Sequence, residues 1–107
     1  MNFFKESELK VKFPFEGIKL RSVYGQKAMI TIFDFDPGTS VPAHKHPHEQ
    51  ITYVIKGELE FTLEGNTRLL KEGDGVSILP NQEHGARVLS KATKVIDSWN
   101  PLREEYR

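Results

Sequence analysis

Residues Pro42 to Glu58 read PAHKHPHEQITYVIKGE and place three of the chain's four histidines within five residues, directly ahead of an apolar run. In a strand, side chains alternate between two faces. If Gln50 faces the interior, Thr52 and Val54 do so too, and Ile51, Tyr53 and Ile55 face outward. Three large apolar groups on an outer face call for a second surface to cover them. The chain's own N-terminal segment, with Phe3, Phe4, Phe13 and Phe15, is one candidate. A second copy of the chain is the other, and a homodimer with Tyr53 in its interface is the expectation.

Outward from this stretch, short β-prone runs closed by turn signals recur along the chain. Gly17–Gly25 and Lys27–Phe35 precede it, the second closed by Asp36-Pro37-Gly38. Leu59–Leu63 alternates apolar and polar residues and turns at Glu64-Gly65-Asn66 into Thr67–Leu70. Val76–Pro80, Gly85–Leu89 and Thr93–Trp99 complete the set. Such spacing indicates an all-β sandwich or barrel. Only the first ten and last five residues carry any helical signal. With 107 residues and no linker, repeat or low-complexity segment, one domain over 1–107 is expected.

Composition removes several function classes. Lys plus Arg equals Asp plus Glu at 15 each, so no basic excess exists to neutralise a phosphate backbone, and no nucleic-acid partner is expected. The chain has no cysteine, which excludes disulfides and thiolate ligands and fits a reducing compartment. No apolar stretch is long enough to span a bilayer, and MNFFKESELK carries no signal core. No membrane association and a cytoplasmic location are therefore expected.

The histidines suit metal chemistry. On one strand, His44 and His46 project to the same face, and neutral imidazole is a good ligand for borderline divalent cations. Lys45 between them points away. Pro47 cannot donate to a sheet ladder and bends or ends the strand, so the next strand can bring Gln50 alongside. His84 lies 34 residues beyond Gln50, in LPNQEHGARV, at the start of another expected strand. A barrel can close that separation. His48 and Glu49 fit the rim better than the ligand set.

These residues resemble the two motifs of the cupin superfamily, small jelly-roll (double-stranded β-helix) barrels. Gly38, His44, His46, Gln50 and Gly57 follow the spacing Gly-x5-His-x-His-x3-Glu-x6-Gly, with Gln50 in place of Glu. Gly73 and His84 follow Gly-x5-Pro-x-Gly-x2-His, with Leu79 for Pro and Asn81 for Gly. The resemblance covers nearly the whole chain.

One subgroup is more similar still. HKHPHEQITYVIKGELEFTLEG and the ending VIDSWNPLREEYR resemble the KdgF-like cupins of pectin and alginate breakdown. That resemblance implies His44, His46, Gln50 and His84 as metal ligands, for one divalent cation per chain. Zinc or nickel is the favoured ion, with manganese and iron open. It also implies a substrate, a sugar acid: a 4,5-unsaturated uronate monosaccharide converted to its linear keto form. The family's Asp-x-aromatic-x-Pro-x-Arg ending maps onto Asp97, Trp99 and Arg103, which the resemblance makes the catalytic set, although Trp99 stands where Phe is usual. Without the resemblance, Arg103 reads better as a partner of Glu104 or Glu105 on a solvated tail, and core packing is the more common role for Trp99. Two other functions fit the same barrel: a metal-dependent dioxygenase or other oxidoreductase, and a non-catalytic sugar- or metabolite-binding module. The position of Asp97, Trp99 and Arg103 relative to the metal pocket discriminates among them.

Overall fold

The alternation read from residues 50–55 sets the packing of the whole molecule. The computed structural model describes residues 2–107. Its strands are β1 (Lys12–Phe15), β2 (Ile18–Tyr24), β3 (Met29–Phe35), β4 (Ser40–His44), β5 (Glu49–Lys56), β6 (Glu58–Leu63), β7 (Asn66–Lys71), β8 (Gly75–Ile78), β9 (His84–Arg87) and β10 (Thr93–Asn100). They form two antiparallel sheets, one ordered β1-β2-β3-β10-β5-β8 and the other β4-β9-β6-β7. The weak helical signal at the two ends corresponds to single 3-10 turns at Glu6–Glu8 and Glu104–Tyr106. Among the described residues, no helix is long and apolar enough to cross a membrane.

The inner faces of the two sheets meet in one core, with Ile18, Leu20, Phe33, Phe35, Val54, Leu59, Phe61 and Val95 at its centre. Burying each such side chain contributes roughly 1.5–3 kcal/mol. On β5, Gln50, Thr52 and Val54 are buried while Ile51, Tyr53 and Ile55 stay exposed. On β10, Thr93, Val95, Asp97 and Trp99 face inward. Register places Asp97 opposite Thr52 of β5 and Thr31 of β3, and Trp99 opposite Gln50. Polar residues thus occupy the same level of the barrel on three neighbouring strands.

Two glycines are required by the backbone. Glu64 and Gly65 join β6 to β7 as a two-residue hairpin with φ of 47° and 80°, the mirror-image turn that matches strand twist. Gly57 has φ of 86°, and a Cβ there would lie 2.6 Å from the Ala92 carbonyl oxygen and 2.8 Å from Thr93 Cα. Gly57→Ala is expected to lose roughly 3 kcal/mol from backbone strain and overpacking. A urea titration measures it; a loss under about 1 kcal/mol would refute the steric account.

The outward face of β5 is uncovered by the chain itself. Glu6 pairs with Lys94, which holds the N-terminal segment on the β10–β3 side of the sheet. Ile51, Tyr53 and Ile55 remain 53%, 48% and 40% exposed.

Candidate functional site

Three strands and one loop bring four side chains to a point inside the barrel. His44, the last residue of β4, stands directly opposite His84, the first of β9. Their rings lie 4.4 Å apart. His46 follows β4 in the loop to β5, a departure from the expectation that it shares a strand with His44. Pro47 has no N–H to extend the ladder, so pairing stops at His44 and the chain turns. The loop is held instead by Asn81, whose N–H donates to the His46 carbonyl at 2.8 Å. Asn81 takes φ of 64°, a conformation asparagine adopts more readily than most residues, which accounts for it at a position where cupins usually have glycine. The ligating nitrogens of His44, His46 and His84 all lie within 4.8 Å of one another.

The backbone fixes which nitrogen points inward. The Nδ1 atoms of His44, His46 and His84 meet the carbonyl oxygens of Pro42, His48 and Gln82 at 2.9, 3.1 and 2.9 Å. A carbonyl can only accept, so each Nδ1 carries the proton and each Nε2 presents a lone pair. The Nε2 of His84 is buried and has no partner. The Nε2 of His46 lies 3.0 Å from Oε1 of Gln50, whose amide nitrogen donates to Thr52 Oγ1 at 2.9 Å. Two acceptors therefore face each other unless the imidazole takes a second proton. Burial, and then the Arg103 charge, push the His46 pKa down. Burial pushes His84 down to about 4, with smaller contributions from His44, His46 and Arg103. Protons are disfavoured where lone pairs converge, and a divalent cation fits this donor set. Three imidazoles and an amide oxygen are all neutral, so a bound cation would keep its full charge.

Asp97, Trp99 and Arg103 border the same space. An inner cavity of about 50 Å³ is lined by His44, Gln50, Thr52 and His84 together with Asp97, Trp99, Arg103 and Tyr106. Phe33, Phe35 and Phe61 contribute apolar lining to it. Asp97 is buried, and burial pushes its pKa up to about 7 against opposing hydrogen bonds from Thr52 and Gln50 and the charge of Arg103. Its Oδ1 has no hydrogen-bond partner. Trp99 donates from Nε1 to Thr31 Oγ1 at 2.9 Å, and its ring lies 5.3 Å from that of His46. Arg103 pairs with Glu105, at 3.0 Å through Nε, one of the two tail carboxylates expected as its partner. It is nonetheless only 7% exposed, and its NH1 is buried without a partner. An outer cleft of about 520 Å³, lined by Lys12, Phe13, Lys45 and Glu105, shares Arg103, Tyr106 and His44 with the inner cavity.

All seven residues named from the sequence thus lie at one place. His48 sits at its rim, half-buried, with its ring against His46 and Trp99. Thr31 and Tyr106 were not expected there. The alternation of β3, in which Phe33 and Phe35 point inward, carries a signal for Thr31. Tyr106, in the charged ending REEYR, has none.

Comparisons with known proteins agree with this geometry. The Cupin domain family model matches residues 31–99, more than half of the chain. The pectin degradation protein KdgF of Dickeya dadantii (strain 3937) is 33% identical over 93 residues, covering 85% of this chain and 84% of that protein. The solved structure of KdgF from Halomonas sp. is 33% identical, covers 98% of this chain and 97% of its own, and superposes with a TM-score of 0.91. An RmlC-like cupin from Shewanella frigidimarina NCIMB 400 superposes at 0.94 with 26% identity, over 100% of this chain and 96% of its own. With its two antiparallel sheets and inward-facing histidine triad, the chain belongs to the cupin family, and within it is similar to KdgF.

Proposed function

We propose that this protein opens 4,5-unsaturated uronate monosaccharides to linear keto-uronates. The observation that carries the reading is the position of Asp97, Trp99 and Arg103 on the same cavity as His44, Gln50 and His84. The similarity to a pectin degradation protein supports it.

The substrate is a cyclic enol ether bearing a carboxylate. A proton leaves the anomeric hydroxyl, and the bond from the anomeric carbon to the ring oxygen breaks. The ring oxygen becomes an enol oxygen, and a proton delivered to the adjacent alkene carbon gives the ketone. Atoms balance without any oxidant. Asp97, with a pKa of about 7, holds and releases a proton near neutral pH, so one carboxyl serves both transfers. Arg103 NH1, a buried donor with no partner, accommodates the carboxylate. Trp99, fixed through Thr31, packs against the sugar ring and excludes water. His44, His46, Gln50 and His84 would hold a divalent cation, which would supply positive charge to stabilise oxyanion character.

The test is the ultraviolet absorbance of a 4,5-unsaturated uronate monomer mixed with metal-loaded protein. The conjugated alkene signal is expected to fall faster than its spontaneous rate, and chelation should return it to that rate. An unaccelerated decay with fully loaded protein would sink the uronate reading.

We also infer a homodimer through the outward face of β5. Ile51, Tyr53 and Ile55 form an exposed apolar row on a strand that the N-terminal segment leaves bare. Sedimentation velocity should give twice the 12.3 kDa chain mass for the natural protein and a monomer for Ile51→Lys/Ile55→Lys. A natural protein that sediments as a monomer contradicts this.

A further inference from the structure

Tyr106 belongs to neither cupin motif nor to the Asp97, Trp99, Arg103 set, yet it lines both the inner cavity and the outer cleft. Its ring meets Phe33 edge-on at 5.8 Å and Trp99 at 5.6 Å. The Arg103 guanidinium is held against two aromatic rings, 4.6 Å from Tyr106 and 5.0 Å from Trp99. With Nε engaged by Glu105, NH1 is left buried and without a partner. The turn carrying Tyr106 is tethered at its end, where the Lys12 ammonium donates to the Arg107 carbonyl.

We propose that Tyr106 is a positioning residue of the site: with Trp99 it clamps the Arg103 guanidinium so that NH1 is presented to the inner cavity, and its ring forms the wall between that cavity and the outer cleft. The inference rests on the reading of Arg103 as the group that takes the substrate carboxylate. Two consequences separate this role from a structural one. The clamp needs an aromatic face and not the hydroxyl, so phenylalanine should serve and leucine should not. The effect should run through Arg103, so it should vanish when Arg103 is absent.

The experiment compares the natural protein, Tyr106→Phe, Tyr106→Leu, Arg103→Ala and Arg103→Ala/Tyr106→Leu, all metal-loaded, on the 4,5-unsaturated uronate monomer. Tyr106→Leu is expected to raise KM roughly ten-fold, as the loss of a desolvated cation–π contact implies, with a smaller change in kcat. Tyr106→Phe should stay within about two-fold of the natural protein on both constants. The double variant should be no worse than Arg103→Ala. An unchanged KM in Tyr106→Leu, or a further ten-fold or so loss in the double variant, overturns the proposal. Acrylamide quenching of Trp99, the only tryptophan, gives a readout without substrate. Quenching should rise in Tyr106→Leu and not in Tyr106→Phe; equal quenching in all three proteins overturns the wall. If the natural protein leaves the uronate untouched, the proposed reaction fails and the quenching series alone decides for or against Tyr106.

Discussion

Replacing Asp97 by asparagine is expected to lower kcat by roughly 10²–10⁴-fold while making the metal-free protein more stable at and above neutral pH. Both effects come from the same burial. The folded carboxyl has its pKa raised from 3.8 to about 7, so burial disfavours its charged form. A raised acid contributes stability that is fully present below its unfolded pKa and is lost as pH rises through the folded value. Relative to Asp97→Asn, the natural protein should therefore lose stability between about pH 4 and pH 7, up to about 4 kcal/mol at the limit of the full shift; the lowered pKa values of His46 and His84, which add stability as pH rises over the same range, act in both proteins and cancel in the difference. Asparagine does not ionise and should show no such slope. Urea melts of chelator-treated protein at pH 4, 5.5 and 8 measure this. Parallel pH profiles for the two proteins would remove the buried carboxylate from the argument. A variant with undiminished kcat would remove Asp97 from proton transfer. A gain in stability with a loss in rate is the usual signature of a functional group held in an unfavourable environment.

Replacing His84 by alanine is the second large effect. His84 contributes a buried Nε2 with no protein partner, and a bound cation would supply the partner it lacks. At a free zinc concentration of about 100 times Kd, binding stabilises the natural protein by ~2.7 kcal/mol, or roughly 10 °C in Tm for a domain of this size. His84→Ala should show no zinc-dependent rise, and its uronate turnover should fall to the spontaneous rate. Calorimetry with and without zinc, and metal content per chain, report it directly. A zinc-dependent rise kept in His84→Ala, or absent from the natural protein, contradicts the metal site as drawn. Because His84 faces His44 across the β4–β9 ladder, the variant also leaves a gap, so the comparison is made between loaded and chelated forms of the same protein.

The elements that could be read from the sequence are those where a local pattern meets a buried face. β5 alternates strictly, and its burial follows that alternation residue by residue. The hairpin at Glu64-Gly65 carries its own turn chemistry. β1 went unread because Lys12–Phe15 is short and contains Pro14. A proline argues against a central strand but is tolerated at the edge of a sheet, which is where β1 lies. The site was legible to the extent that residues two apart on a strand share a face. That reasoning gave Gln50 and Thr52 correctly, and failed for His46, whose position is set by the loop and by the Asn81 N–H rather than by strand geometry. The convergence of His84 on His44 depends on a cross-strand register that no local pattern encodes. Tyr106 is the next-to-last residue, among charges, and only the folded tail brings its ring onto Phe33 and Trp99.

The three imidazoles are aimed by main-chain carbonyls of Pro42, His48 and Gln82, not by other side chains. Point substitutions around the triad, Gln50→Glu among them, can therefore alter the net charge and the surroundings of the site while the rings keep their direction. Orientation is inherited with the backbone, and reactivity is left to a handful of exchangeable neighbours. A barrel wired this way can diversify its chemistry by single steps without rebuilding its centre.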